Sequence, residues 1–399
     1  MSIYLVVWLV LCLFTLKQSV GKETRTAEKI EFWFCFLILT GMLVFRYGQG
    51  SDYFGYRYNY YKISDVAITF PNYDVHGETG YQLVCNIFRI LHIPFEGFIA
   101  FMSILQMGFL LVFLKRYKVA YSFALLLIYP TLYLTYLASG MRQGLAIVFF
   151  LGVLLPLLEN RRYFAYIVGT LLCMTFHTVS VVFLVLLIPM KIRKVSTLQI
   201  LTALAWLAGC ILSTREGQSL IMALGISKLN YYLENGAGIN LAAIAERLLF
   251  TGIITWLYLK LCKIGKCSDR FRFAYSCYLM AMALYGGLLW NDLVASRTAS
   301  MLRFIEVYLL IYGIRQMRRG SRYLLVIILV AFETFMTVKN IQAAIDQGPY
   351  VQDVTVATYP YVSVFNRQEI YQYRLVPNKY INLPDWYFSE RMSTADEYA

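Results

Sequence analysis

Apolar residues in this chain recur in runs close to the length of a membrane crossing, and short basic clusters separate the runs. A bilayer core of about 30 Å takes roughly twenty helical residues, fewer where a helix end is sheltered by protein. The pattern predicts twelve spans, at 2–16, 32–45, 95–114, 119–136, 140–158, 163–176, 178–190, 197–213, 240–260, 271–290, 298–315 and 323–338. The expected fold is therefore all-α: a polytopic integral membrane protein of about twelve transmembrane helices plus one surface or re-entrant helix.

The polar positions between the runs set the direction of each crossing. The clusters Lys17/Lys22/Arg25/Lys29, Lys115/Arg116/Lys118, Arg161/Arg162, Lys191/Arg193/Lys194, Lys260/Lys263/Lys266/Arg270/Arg272 and Arg315/Arg318/Arg319/Arg322 hold 21 of the 36 basic residues. Lys and Arg are retained on the cytoplasmic side. All six clusters share that side if the chain starts outside and alternates, so both termini are expected to be extracytoplasmic. Two segments follow from this parity. Residues 78–92 cannot be a thirteenth span and are read as a helix on, or dipping into, the outer surface. Residues 163–190 must go out and come back as two short helices with His177 at the bend. Irregular backbone at membrane depth is tolerated only where protein buries it or water reaches it. The expected organisation is a membrane domain over 1–338, with extracytoplasmic loops 46–94 and 214–239, and an extracytoplasmic tail over 339–399 that carries eleven aromatic residues.

Composition agrees. Of 399 residues 59% are apolar and only 15% charged, with a mean hydropathy of +0.58. A soluble enzyme, a disordered chain and a disulfide scaffold are excluded. The net charge of +13 would suggest nucleic acid in a soluble protein; here it reflects the loop bias, and no nucleic-acid partner is expected. The eight cysteines lie mostly inside apolar runs with no CxxC pair, so they read as small buried hydrophobes rather than zinc ligands. The first run has no basic segment before it and no small-residue cleavage site after it, and is read as a retained span.

Four places carry candidate chemistry. In FRYGQGSDYFGYRYNYYK, residues 45–62, Arg46 closes a span and Asp52 follows two glycines, with Tyr47, Tyr53 and Tyr56 among the tyrosines behind it. An interfacial aromatic belt with a snorkelling arginine is one reading. The other is a site in which Arg46 holds an anion, Asp52 orients or deprotonates a hydroxyl, and tyrosine faces stack on sugar rings. In SGMRQGLA, residues 139–146, Arg142 stands one turn into a span between Gly140 and Gly144. A charge there needs a cavity or a partner, and a helix N-terminus beside an arginine suits phosphate. The competing reading pairs it with a buried acid such as Glu246, Glu306 or Glu333. In FHTVS, residues 176–180, His177 is either a structural histidine or a base facing outward; His76 and Glu78 are rival bases. In NDLVASRTASMLRF, residues 291–304, Arg297 sits at the outer mouth of a span and Arg303 lies inside it. Glu306, at i+3 from Arg303, is a ready salt-bridge partner.

There is no P-loop, GxSxG, HExxH or DxD, and three histidines cannot build a histidine-rich metal site. Arginines gathered at the outer face imply a lipid phosphate or diphosphate rather than a nucleotide.

At these residues the sequence resembles the EpsG-like, or Wzy-type, polymerases of bacterial surface polysaccharide. The resemblance rests on RYGQGSDYFGYRYNYY, ETGYQLVCNIF, SGMRQGLAIVFF, NRRYFAYIVGTLLCMTFHTVSVVFLV and an arginine-bearing late span, in order over about residues 40–190 and more weakly beyond. It implies a GT-C-like glycosyltransferase architecture in the bacterial plasma membrane. The implied activity joins oligosaccharide repeat units of O-antigen, capsule or exopolysaccharide, carried on undecaprenyl diphosphate as donor and acceptor, at the outer face. A chain-length regulator protein is a candidate partner alongside membrane lipid. By motif, Arg46, Asp52, Glu78, Arg142 and His177 are the family's marked positions. Such chemistry takes His177, Asp52 or Glu78 as base; Arg46, Arg142, Arg297 and Arg303 as diphosphate ligands; Tyr47, Tyr53 and Tyr56 as sugar platforms. It needs no divalent metal or cofactor and inverts the anomeric centre. Alternatives are a lipid-linked oligosaccharide flippase or exporter, and a membrane acyltransferase acting on glycans.

Overall fold

The structure, a computed structural model, describes residues 1–20, 24–69, 71–192, 194–223, 225, 233 and 240–376. Helices occupy all twelve predicted stretches. Among the described residues, six helices are long and apolar enough to cross a membrane: α1 (Ile3–Val20), α5 (Phe95–Arg116), α7 (Met141–Glu159), α10 (Val195–Leu212), α12 (Leu241–Lys263) and α16 (Arg319–Gln347). Shorter apolar helices are α6 (Ser122–Leu137), α8 (Tyr163–Met174) and α9 (Thr178–Lys191). The remainder include α2 (Arg25–Val44), α3 (Tyr53–Lys62), α4 (Thr79–Ile90), α11 (Arg215–Ala223), α13 (Asp269–Gly287), α14 (Asp292–Arg303) and α15 (Glu306–Arg315). The chain is a membrane-embedded helical protein.

Local sequence explains several boundaries. Thr24, Asn240, Ser268 and Asn291 cap their helices by accepting a hydrogen bond from the backbone N–H three residues on. Within residues 78–92 the twelve-residue α4 packs beside α3. Residues 163–190 divide as expected into α8 and α9, with His177 in an extended conformation between them. The stretch 298–315 is not one helix: Phe304 and Ile305 separate α14 from α15, between Arg303 and Glu306. The last helix also runs past the expected boundary at 338, to Gln347.

Polar contacts sort the connections into two ends. At one end Lys17 Nζ lies 2.6 Å from Glu31 Oε1, Gln18 reaches Ser122, and Arg270 Nε lies 2.5 Å from Glu159 Oε1 and bonds the Arg116 carbonyl. Arg315 lies over the Tyr121 ring at 4.0 Å. Basic clusters separated by hundreds of residues thus meet on one face. At the other end Ser51 bonds Ser139, Gln143 bonds Ser300, and the segment after α16 folds back over the start of the chain.

Buried tyrosines tie the spans together. Tyr129 and Tyr133 donate to the Tyr4 and Leu39 carbonyls, each at 2.8 Å, linking α6 to α1 and α2. Elsewhere α10 and α13 touch through glycine: a Cβ at Gly209 would run into the Gly286 carbonyl, and one at Gly286 into Trp206.

The segment after α16 is more ordered than a tail. Ser2 bonds Ala357 and Tyr359, Tyr47 N–H donates to Val362, and Val364 N–H donates to Phe45. Arg374 donates to the carbonyls of Gly48 and Gly50, each at 2.7 Å, and of Ser51 at 3.2 Å. The aromatic residues expected at 380–398 lie outside the described residues, as does most of 226–239 in the second large loop.

Candidate active site

The end opposite the basic clusters carries two adjoining features. The first is a cavity of about 620 Å³ between the 49–52 loop, the end of α6, the start of α7, α12, α14 and α16. Its charged lining is Asp52, Glu246, Arg247, Asp292, Arg297 and Lys339, among amides and hydroxyls that include Gln143 and Asn340. Such a mixed polar wall suits a sugar with an anionic group attached.

The second is a compact cluster on the other side of the first turn of α7. Glu78, just before α4, holds Arg142 Nη1 with one carboxylate oxygen. Its other oxygen accepts from the Thr178 N–H at 3.0 Å and faces His177 Nδ1 at 3.8 Å. Thr178 presents that N–H because α9 starts there, with the amides of its first turn unpaired within the helix. Arg142 also stands over the rings of Tyr56 and Tyr81, at 5.6 and 5.4 Å. His177 Nε2 is buried and has no hydrogen-bond partner among the described residues. Burial pushes the Glu78 carboxyl up, but the Arg142 guanidinium and the Thr178 amide outweigh it and hold Glu78 below its ordinary range. Packing of α14 on α9 brings Arg297 within electrostatic reach of His177. Arg297 itself is exposed on the cavity wall, so it stands between the two features.

The expected site residues therefore divide. Glu78, Arg142, His177, Arg297 and Tyr56 gather here, and Asp52 lines the cavity as an exposed residue whose carboxylate accepts from the Ser51 hydroxyl. Arg142 is paired with Glu78 and not with Glu246, Glu306 or Glu333. Four expectations are corrected. Arg46 is 2% exposed, with Nη1 committed to the Leu43 carbonyl and Ser103 Oγ, so it braces the end of α2 and does not line the cavity. Tyr47 and Tyr53 pack on each other and on Phe54, at 3% and 2% exposure, leaving no free face for a sugar. Arg303 is buried beneath the cavity, 2.8 Å from Glu246 and 3.7 Å from Glu306, so its charge is spent on acids. His76, the rival base, is exposed on the loop away from the cluster's contacts.

Three residues were not singled out from sequence. Arg247 lines the cavity, nearly buried, paired with Glu246 and stacked over Tyr285 at 5.2 Å. Lys339 faces it from α16. Arg374 holds the 48–51 loop that carries Asp52. A charge inside an apolar run could have flagged Arg247; nothing in the local sequence marks Arg374.

With this geometry in place, comparison by sequence is decisive at one level. The family model of the EpsG family matches residues 29–363. The chain belongs to the EpsG family. No curated protein matches it, and no solved structure does. Membership supports, in broad terms, a polysaccharide polymerase of glycosyltransferase type embedded in a membrane. The matched segment contains the Glu78–Arg142–His177 cluster and every charged residue of the cavity wall, whereas Arg374 lies beyond it.

Proposed function

We propose that this EpsG-family protein polymerises oligosaccharide repeat units carried on undecaprenyl diphosphate, at the outer face of the bacterial plasma membrane. The twelve-span reading with both termini outside goes with this, because the gathered basic loops are then cytoplasmic. The site lies at the opposite end, where exported lipid-linked sugars await extension.

The observation that carries the reading is the carboxylate of Glu78 holding Arg142 and facing His177, beside a polar cavity of about 620 Å³. Substrate entry uncovers the buried Nε2 of His177; the acceptor hydroxyl oxygen then attacks the anomeric carbon of the donor chain, and its proton passes to that nitrogen. The bond from that carbon to the diphosphate breaks, and the diphosphate leaves with the electron pair. Glu78 orients the imidazole through Nδ1 and stabilises the imidazolium that forms. Arg142 and Arg297 stabilise the charge growing on the leaving diphosphate, which lowers the barrier because that charge is greatest late. Arg247 and Lys339 hold the anionic part of a substrate within the cavity. One direct displacement inverts the anomeric configuration, and the arginines serve in place of a divalent cation.

Purified protein given a lipid-diphosphate-linked repeat unit should produce a ladder of longer glycans. Arg142→Ala and His177→Ala should each abolish the ladder while gel-filtration profiles stay unchanged. A chelator should leave it intact. Wild-type ladders from both variants would remove this site from the reaction.

A further inference from the structure

Below the Arg142 cluster lies a feature the reaction does not use. A groove of about 230 Å³ runs between α5, α7 and α8 under the edge of α4, and every residue that lines it is apolar. Its upper wall is Val84, Phe101 and Phe176, and its floor descends through Leu145 and Ala146 to Phe109 and Phe149. Phe101 and Leu172 at its mouth are 43% and 56% exposed, so the groove opens sideways toward the surrounding hydrocarbon.

Its upper end meets charge. Phe176 immediately precedes His177, and Leu145 lies at i+3 from Arg142, so the cluster adjoins the upper end of the groove through these two lining residues. Arg142 is paired with Glu78, whose other oxygen holds the Thr178 amide and faces His177, so an anionic head arriving here would compete with that carboxylate for the guanidinium. A hydrocarbon chain seated between α5 and α7 would bring an anionic head to Arg142. A neutral lipid gains nothing from that guanidinium.

The geometry points to this groove as the seat of the polyprenyl chain of a diphosphate-linked lipid, with its diphosphate at Arg142. The inference rests on the reading of Glu78, Arg142 and His177 as the reaction site, and adds where the carrier lipid lies. Seating the chain would fix the diphosphate relative to His177, so catalysis would gain from apolar contacts remote from the bond that breaks.

The test is photolabelling of the full chain in phospholipid nanodiscs with a polyprenyl diphosphate bearing a diazirine on its chain. Label should concentrate on residues 101–109, 145–149 and 172–176. Leu145→Trp, or Leu172→Trp at the mouth should the first not fold, should cut that label about tenfold. Arg142→Ala should weaken labelling by the diphosphate probe and leave labelling by the corresponding diazirine prenol unchanged. Even labelling across exposed helices such as α10, or equal groove labelling by a diazirine phosphatidylglycerol, would overturn the assignment and leave a groove filled by bulk lipid. Binding is read without turnover, so an inactive but groove-labelled protein would count against the polymerase reading alone.

Discussion

Oε1 of Glu78 stands 3.8 Å from Nδ1 of His177 while the second oxygen of the same carboxylate holds Arg142. One acid from the first large loop thereby joins the start of a span to the bend between two half-helices. Replacing it by Gln keeps the shape and removes the charge. Arg142 is then left half-buried without an acid, and the imidazole loses the group that orients it. Glu78→Gln should lower polymer formation by about 10²-fold and destabilise the protein by about 1–3 kcal/mol, read as rates of ladder growth and as thermal unfolding in detergent. A variant with unchanged rate would show that the carboxylate takes no part.

The same pairing carries a pH dependence. Because Glu78 is held below the ordinary carboxylate range, its contribution is present above its unfolded value and is lost as pH falls through the depressed one. Hydrogen exchange in α4 and around residues 175–180 should rise on acidification, as pH falls out of the ordinary carboxylate range toward the depressed value of Glu78. Glu78→Gln should exchange fast at every pH, and a matching rise in that variant would assign the effect to another group.

Arg303 and Glu246 make a second, deeper pair at 2.8 Å, with Arg247 on the other oxygen of the same acid. Only Glu246 and Arg247 reach the cavity; Arg303 supports them from beneath. Glu246→Leu strands two buried guanidinium groups, with Glu306 at 3.7 Å a poor substitute. It should cost about 3–5 kcal/mol. Adding Arg303→Met should recover part of that loss, since one stranded charge is removed. Thermal unfolding of the single and double variants measures the coupling, and a double variant worse than the single would refute it.

What could be read from sequence follows from the range over which each force acts. Hydrophobic runs and loop charge are local, so the helices and the bend at His177 were legible. The gathering of Glu78, Arg142 and His177 was legible only as separate anomalies, because nothing in the order of residues says which acid an arginine will meet. Arg46 and Arg303 looked alike as charges at membrane depth. Ser103 and the Leu43 carbonyl quench one, and Glu246 with Glu306 the other. Both are long-range or main-chain partners without a sequence signature. Tyr47 and Tyr53 were misread for a related reason: a tyrosine-rich segment packs on itself as readily as it offers faces to a ligand.

Gly50 illustrates how the loop bearing Asp52 is seated. It adopts a positive φ of +83°, and a Cβ there would come within 2.8 Å of the Ser139 Cα. Gly50→Ala therefore meets both backbone strain and a clash with the turn before α7. The expected outcome is a folded protein with the 49–52 loop displaced, a stability loss of about 1–3 kcal/mol and a raised KM for the lipid-linked unit. An unchanged KM would show that the loop does not shape the cavity.

Arg374 closes the same loop from the far end of the chain. Its guanidinium donates to the carbonyls of Gly48, Gly50 and Ser51, which no secondary structure satisfies, and lies over Phe54 at 5.2 Å. Buried carbonyls left without donors are costly, so the clasp is a means of fixing an irregular segment. Arg374→Ala should release the loop and cost about 1–3 kcal/mol; Arg374→Lys, a point charge lacking the planar fork, should restore only part. Since Arg374 touches neither Glu78 nor His177, chemistry at a bound substrate should survive: kcat should change little while KM rises. A fall in kcat with KM unchanged would mean that the segment beyond 349 acts on the reacting groups themselves and not through the placement of Asp52.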